Sequence, residues 1–425
     1  MDEPEASATP DATPNAVSDA VSATPDAVSA TPDAVSAETA AVSAVSDALS
    51  AVADAVSAVS DAASDAVSDT VSETVTAADA TDTLDLDALA QLTERPDEDV
   101  RQSALARLAE AALPAAGLGK IEELAAWLAA AQGASPTRPI TRPRVVLFAG
   151  DHGVASAGVS AYAPDATAAQ VRQIEDGGGA ANTLARLHGA SVRVVNVSVG
   201  KPSGRIDVED AATRQDTETA FRLGMEIADA EIDAGADLLI PSLLGVGHTT
   251  VASALAGVLT GKDAAAVTGR GSGIDDATWM RKCAAVRDAM RRGRPMLGDQ
   301  MKLLSAIGGL DFAAACGFLL QAANRKTAVV LDGVGITTCA MLVQRISYRA
   351  PQWWLAGAAS PEPAHKAALE RMTVEALLPE CQVRVGEGVA GLLALPLVVS
   401  AAALLAELQT FEESGIPAPL MRSRI

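Results

Sequence analysis

The chain has 425 residues, 49% hydrophobic but only 3% aromatic, so any core must be built from Ala, Val and Leu. That length holds two or three average domains, or one large α/β unit with extensions. The net charge of −22 sits at one end: residues 1–94 carry 19 Asp and Glu and no Lys or Arg, leaving −3 for residues 95–425. A nearly neutral remainder offers no basic field for nucleic acid. The four cysteines, Cys283, Cys316, Cys339 and Cys381, form no CxxC pair. That argues against a zinc ribbon or disulfide framework and fits a reducing cytoplasm. No charged-then-apolar leader opens the chain, so secretion is not expected.

Residues 1–82 are low in complexity, with TPDAVSA given twice in succession from Thr24. Acidic and poor in large apolar groups, this tail is expected to be disordered. A stripe of Val42, Val45, Leu49, Val52, Val56 and Val59 allows a helix that forms only on meeting an unknown partner of the acidic tail. From Leu84 to Gln132 the apolar spacing turns helical, with a break at Leu113-Pro114. RVVLFAGDHG then begins a repeating unit of apolar strand and polar loop. It recurs in SVRVVNVSVG, ADLLIPSLLGVGHTT, DAAAVTGRGSG and TAVVLDGVGITT, with Ala-rich helical stretches between. Such alternation predicts an α/β fold, a parallel sheet with helices on both faces. Its ligand should sit at the carboxyl ends of the strands, where the Gly-rich loops fall. Gly388 to Leu405 is about long enough to cross a bilayer but contains Pro396 and many Ala and Gly. It is read as a buried helix pair, with no membrane contact.

Glu387 stands between Gly386 and Gly388 at the head of that apolar run. Apolar neighbours would desolvate the carboxylate, which suits a general base. The competing reading is an acid at a helix N-terminus, where acids are favoured in any case. Gly269-Arg270-Gly271-Ser272-Gly273 precedes a helix beginning near Asp276, so its backbone N–H groups are placed to hold a phosphate. A tight turn without a ligand is as common. Lys282 follows at a distance that could add a charge there, though by itself it reads as an ordinary exposed lysine. No GxxxxGK[ST] occurs, so a nucleotide triphosphatase is not indicated. VVLDGVGITT resembles the loop of diphosphate-using phosphoribosyltransferases, but Gly333 stands where the second acid would be. Asp332 is left to bind a ribose hydroxyl or to cap its own loop. His152, His248 and His365 match no zinc spacing and read as loop or capping residues.

Taken in order, nine stretches resemble the nicotinate-nucleotide–dimethylbenzimidazole phosphoribosyltransferase family of cobalamin biosynthesis. They are LPAAGLGKIEELA, FAGDHGVASAGVSAY, LLGVGHTT, GRGSGID, IGGLDFAAACG, VVLDGV, ASPEPAH, VRVGEGVAG and TFEESGI. The resemblance implies a Rossmann-like parallel sheet of about residues 140–375. It adds a small helical part from about 83–135 and 376–425, in a homodimer. It also implies a reaction: the 5-phosphoribosyl group of nicotinate mononucleotide moves to 5,6-dimethylbenzimidazole, releasing nicotinate. The leaving group is already a pyridinium and needs no metal or cofactor, while the incoming base must lose a proton.

By motif matching, Glu387 would be the general base, with Ser160 and Gln170 lining the benzimidazole pocket. Gly245, Gly271, Ser272, Lys282, Asp332, Ser360 and Gly386 would hold the nucleotide. Four positions depart from the family pattern. Leu243 replaces an acid, His248 an Asn, Asp311 a Glu and Asn196 an Asp. With Leu243 the base pocket loses its second acid, so a paralogue using another acceptor, or a nucleotide-binding protein without turnover, stands as the alternative. His248 as a substitute proton acceptor and His248 as a packing residue are equally open.

Overall fold

The computed structural model describes residues 84–419. The acidic tail and its valine stripe lie outside the described residues. Three helices come first: α1 (Leu86–Leu92), α2 (Glu98–Glu110) and α3 (Lys120–Gln132). Six strands follow, β1 (Pro143–Gly150), β2 (Ser191–Ser198), β3 (Leu238–Leu244), β4 (Val329–Leu331), β5 (Trp354–Ala358) and β6 (Ala376–Leu378). They form one parallel sheet in the order β2-β1-β3-β4-β5-β6. The interior strands are largely apolar because they are covered twice; every residue of β3 is buried.

Between β1 and β2 lie α4 (Ala166–Glu175) and α5 (Ala180–His188), and α6 (Arg214–Asp233) leads into β3. After β3 come α7 (His248–Thr260), α8 (Ala264–Val267), α9 (Asp276–Gly293), α10 (Gln300–Ile307) and α11 (Leu310–Asn324). Helix α12 (Gly333–Ile346) follows β4, α13 (Pro363–Met372) follows β5, and α14 (Val389–Glu407) follows β6. Strand alternation assigns the layers. Ile240 of β3 lies under Gly391 of α14, while Leu243, an odd number of residues on, lies under Gly335 of α12. Helices α14 and α12 therefore cover opposite faces.

The two ends of the described chain meet. Helix α3 packs on both α2 and α14. Arg107 Nε donates to the Leu405 carbonyl at 2.9 Å, and Thr137 Oγ1 to the Ala402 carbonyl at 2.8 Å.

Three expectations need correction. DAAAVTG is no strand: its Ala run makes the short helix α8, as the high helix propensity of Ala favours. Strands β5 and β6 were not foreseen; they are five and three residues long. The apolar run after Gly388 is one helix, not a pair, and passes through Pro396. Leu392, Leu395, Val398, Ala402 and Leu405 are all buried, and that packing carries α14 past the proline. Length and hydropathy would let this helix cross a membrane, yet its buried stripe makes it a core element.

Candidate active site

Strand order reverses direction at β1, which has β2 on one side and β3 on the other. The crevice outside the carboxyl ends of the strands at such a switch is the expected ligand site of a doubly wound sheet. A cleft of about 530 Å³ opens there. Ser160, Gln170, Gly245, Gly271, Ser272, Gly386 and Glu387 line it. An adjoining recess of about 30 Å³ shares Gly271 and Gly386 and adds Asp332 and Ser360. Lys282, the tenth residue expected from the sequence, reaches the same place from below: its Nζ donates to Thr249 Oγ1 at 2.9 Å, and Thr249 lines both spaces. All ten therefore converge. A larger cavity, about 660 Å³, lies at the opposite, amino ends of the strands around Asp237, Thr327 and Trp353. No Gly-rich loop enters it, and none of the ten residues lines it.

The walls are held by close backbone contacts. A Cβ on Gly245 would fall 2.1 Å from the Gly150 carbonyl oxygen, so only glycine lets the loops after β1 and β3 touch. Thr167 Oγ1 of α4 accepts from Val246 N at 3.1 Å, which fixes Gln170 one turn along the same helix against that loop.

Glu387 has φ +62°, a left-handed conformation that costs a non-glycine residue energy and that gathers at functional sites. Its carboxylate is half-buried, not enclosed by apolar groups as expected. The apolar run that follows turns inward as α14 and leaves the Glu387 side chain facing the cleft. Oε2 accepts from Ala180 N, the first residue of α5, at 3.2 Å. An acid at a helix N-terminus was the competing reading, and the helix it meets is α5 rather than its own.

The strained turn is clamped by Asp332, at the end of β4. Its Oδ2 accepts from Ser242 Oγ at 2.6 Å and from Gly388 N at 3.0 Å. Oδ1 accepts from Ala390 N at 2.7 Å and Gly391 N at 3.4 Å. Burial pushes this carboxyl up from the ordinary range, and the four donors oppose it. Of the two roles read for Asp332, capping a loop is the one these bonds display, although the loop is the one that carries Glu387.

The Gly269–Gly273 loop crosses the cleft between α8 and α9. Ser272 Oγ lies 3.2 Å from Ser160 Oγ and accepts from Ala161 N at 2.9 Å, joining this loop to the one after β1. Lys282 is not the exposed lysine that its spacing suggested: it is 1% exposed. Burial lowers its pKa to about 8, against an opposing effect of Glu362 and Cys283. Glu362, which sequence reasoning passed over, is also buried and accepts from Gly271 N at 2.8 Å. The signal was present in Ser360-Pro361-Glu362-Pro363: an acid just before a proline marks a helix start, and Glu362 precedes the first residue of α13. Ser360 N donates to His365 Nδ1 at 3.1 Å, and Ser360 Oγ accepts from Glu362 N at 3.3 Å.

Two further histidines lie against the loop after β3. His248 opens α7 and its Nδ1 meets the Gly245 carbonyl at 2.6 Å. A carbonyl only accepts, so Nδ1 carries the proton and Nε2 is the acceptor. Burial lowers its pKa to about 4, so the ring is neutral at pH 7. His152 Nε2 lies 3.2 Å from Asp311 Oδ2, and both side chains are buried. Leu243 presents no acid to the cleft, and Asn196 Oδ1 accepts from Val199 N at 2.9 Å to close a turn.

A doubly wound sheet with a carboxylate and a phosphate-type Gly loop at its switch point is the frame of a nucleotide-using transferase. A family model described as phosphoribosyltransferase matches residues 93–416. The nicotinate-nucleotide–dimethylbenzimidazole phosphoribosyltransferase of Streptomyces avermitilis is 53% identical, covering 77% of this chain and 91% of that protein. The one from Streptomyces coelicolor is 50% identical, covering 77% and 96% respectively. A crystal structure of the enzyme of that name from Thermus thermophilus matches with a TM-score of 0.72 at 32% identity, over 76% of this chain and 100% of that one. The protein is a phosphoribosyltransferase. It belongs to the nicotinate-nucleotide–dimethylbenzimidazole phosphoribosyltransferase family.

Proposed function

We propose that the chain transfers the 5-phosphoribosyl group of nicotinate mononucleotide to 5,6-dimethylbenzimidazole, in assembly of the cobalamin nucleotide loop. A nitrogen lone pair of the incoming base forms a bond to the anomeric carbon. The bond to nicotinate breaks, and its electron pair returns to the pyridinium nitrogen, so nicotinate leaves with a neutral ring. The second nitrogen of the base then holds an acidic proton, which Glu387 accepts; the products are nicotinate and α-ribazole 5′-phosphate. Ser160 and Gln170 flank the base, while Gly245, Gly271, Ser272, Lys282, Ser360 and Gly386 surround the nucleotide. Asp332 acts on the same site by holding the turn that carries Glu387. The observation that carries this reading is Glu387 in a strained turn, clamped by Asp332, with its carboxylate on the cleft.

The test is nicotinate release from nicotinate mononucleotide, with and without dimethylbenzimidazole, by the wild type and by Glu387→Gln. Acceptor-dependent release should fall by roughly 10²–10⁴ in the variant, the usual contribution of a general base. Undiminished release would remove Glu387 from this role, and release without any acceptor would mean hydrolysis. A second reading follows from Leu243: the cleft has an apolar wall where the family pattern has an acid, which favours an acceptor other than dimethylbenzimidazole. Comparing turnover with dimethylbenzimidazole, adenine and phenolic acceptors separates the two. We further place the protein in the cytoplasm as a homodimer.

A further inference from the structure

We propose that Glu362 is a positioning residue for the nucleotide phosphate, fixing the Gly269–Gly273 loop from beneath and supplying the counter-charge that Lys282 needs in a buried site. This rests on the reading that the phosphate is held by that loop and Lys282. The loop is shaped around the Glu362 carboxylate. Oε1 accepts from Gly271 N at 2.8 Å, and a Cβ on Gly269 would fall 2.0 Å from Oε2. On its other side the same loop meets the ammonium: a Cβ on Gly271 would lie 3.0 Å from Lys282 Nζ. One glycine turn thus separates a buried anion from a buried cation. Glu362 is 3% exposed and its Oε2 has no hydrogen-bond partner, an unusual condition for a carboxylate that only stabilises a fold. Its one strong bond goes to the loop, and its charge favours the protonated form of Lys282.

Two further titratable groups act on Lys282. Cys283, its chain neighbour, favours the charged amine, and His248 at the head of α7 lies close enough for each to disfavour the other's charge. His248 is neutral above a pKa of about 4, so Glu362 is the principal counterweight to burial near pH 8. A lysine that has lost its proton cannot pair with a phosphate. In the wild type, kcat/KM for nicotinate mononucleotide should therefore decline as pH rises past about 8. Removing the Glu362 charge should bring that decline to lower pH.

The experiment is the pH profile of kcat/KM for nicotinate mononucleotide at saturating dimethylbenzimidazole, for the wild type, Glu362→Gln and Glu362→Asp. Gln keeps an acceptor for Gly271 N and loses the charge; its alkaline limb should move down by about one pH unit, the size of a nearby opposite charge. Asp keeps the charge on a shorter arm; it should lose affinity at every pH while its limb stays at the wild-type position. A limb unmoved in Gln, or moved equally in both, would overturn the inference and leave Glu362 a structural cap. Lys282→Met isolates the premise: if it leaves KM for nicotinate mononucleotide unchanged, the phosphate lies elsewhere. Loss of affinity in Lys282→Met beside an unmoved Glu362→Gln limb would sink the role of Glu362 alone.

Discussion

Replacing Asp332 with asparagine changes one atom and reverses polarity at the centre of the site. Ser242, Gly388, Ala390 and Gly391 all donate to its two oxygens. Asparagine turns an NH₂ toward one pair of those donors, leaving buried N–H or O–H groups unmatched at a cost of about 1–3 kcal/mol each. Asp332→Asn should therefore lower stability by about 2–6 kcal/mol and cut kcat at least tenfold by releasing the Glu387 turn. Denaturant unfolding and nicotinate release would report the two effects; a stable, fully active variant would mean that the clamp is not needed. At this scale the sequence was informative about loop residues and silent about depth. Glu387 between two glycines and the GRGSG loop announce themselves because such backbone approaches need glycine. Lys282 and Glu362 do not, because their burial arises where α9 and α13 converge on a shared loop, a contact about 80 residues apart in the chain.

Among the elements, α6 and α11 cross where both carry glycine. A Cβ on Gly317 would fall 1.9 Å from the Phe221 carbonyl oxygen, and one on Gly224 would fall 1.8 Å from that of Ala314. These are backbone atoms, which cannot swing aside as a side chain does. Gly317→Ala must force the helices apart, although alanine is otherwise the better helix former. We expect a loss of about 3 kcal/mol and a Tm lower by roughly 5–10 °C, measured by calorimetry; an unchanged Tm would show that the crossing is loose. Pattern alone predicted the helices here but not their separation. The same limit explains the strands. Leu147 to Ala149 and the whole of β3 read clearly because they are covered on both faces. The run of alanines before Thr268 did not, since short apolar runs fit strand and helix alike. Strand β6, with three partly buried residues at the sheet edge, leaves almost no pattern to find.

At the level of the whole molecule, charge and chemistry occupy different parts of the chain. The family match begins at residue 93, and the cleft is assembled from residues between Val159 and Glu387. Residues 1–82 contribute 16 acidic and no basic side chains, so removing them would change the net charge from −22 to −6. A change of that size acts on solubility and on long-range steering rather than on contacts inside a cleft. Nicotinate mononucleotide carries a phosphate, so an acidic tail can only slow its approach, and salt weakens that effect. Deleting residues 1–82 should therefore leave kcat within about twofold, with any fall in KM confined to low ionic strength. Steady-state kinetics at low and physiological salt would show this, with light scattering alongside to test whether both forms are homodimers. If the shortened chain remained folded and dimeric yet lost turnover, the tail would have to reach the site itself. A homodimer formed only by the full chain would instead make the tail an assembly element, and the lower turnover of a monomer would follow from that.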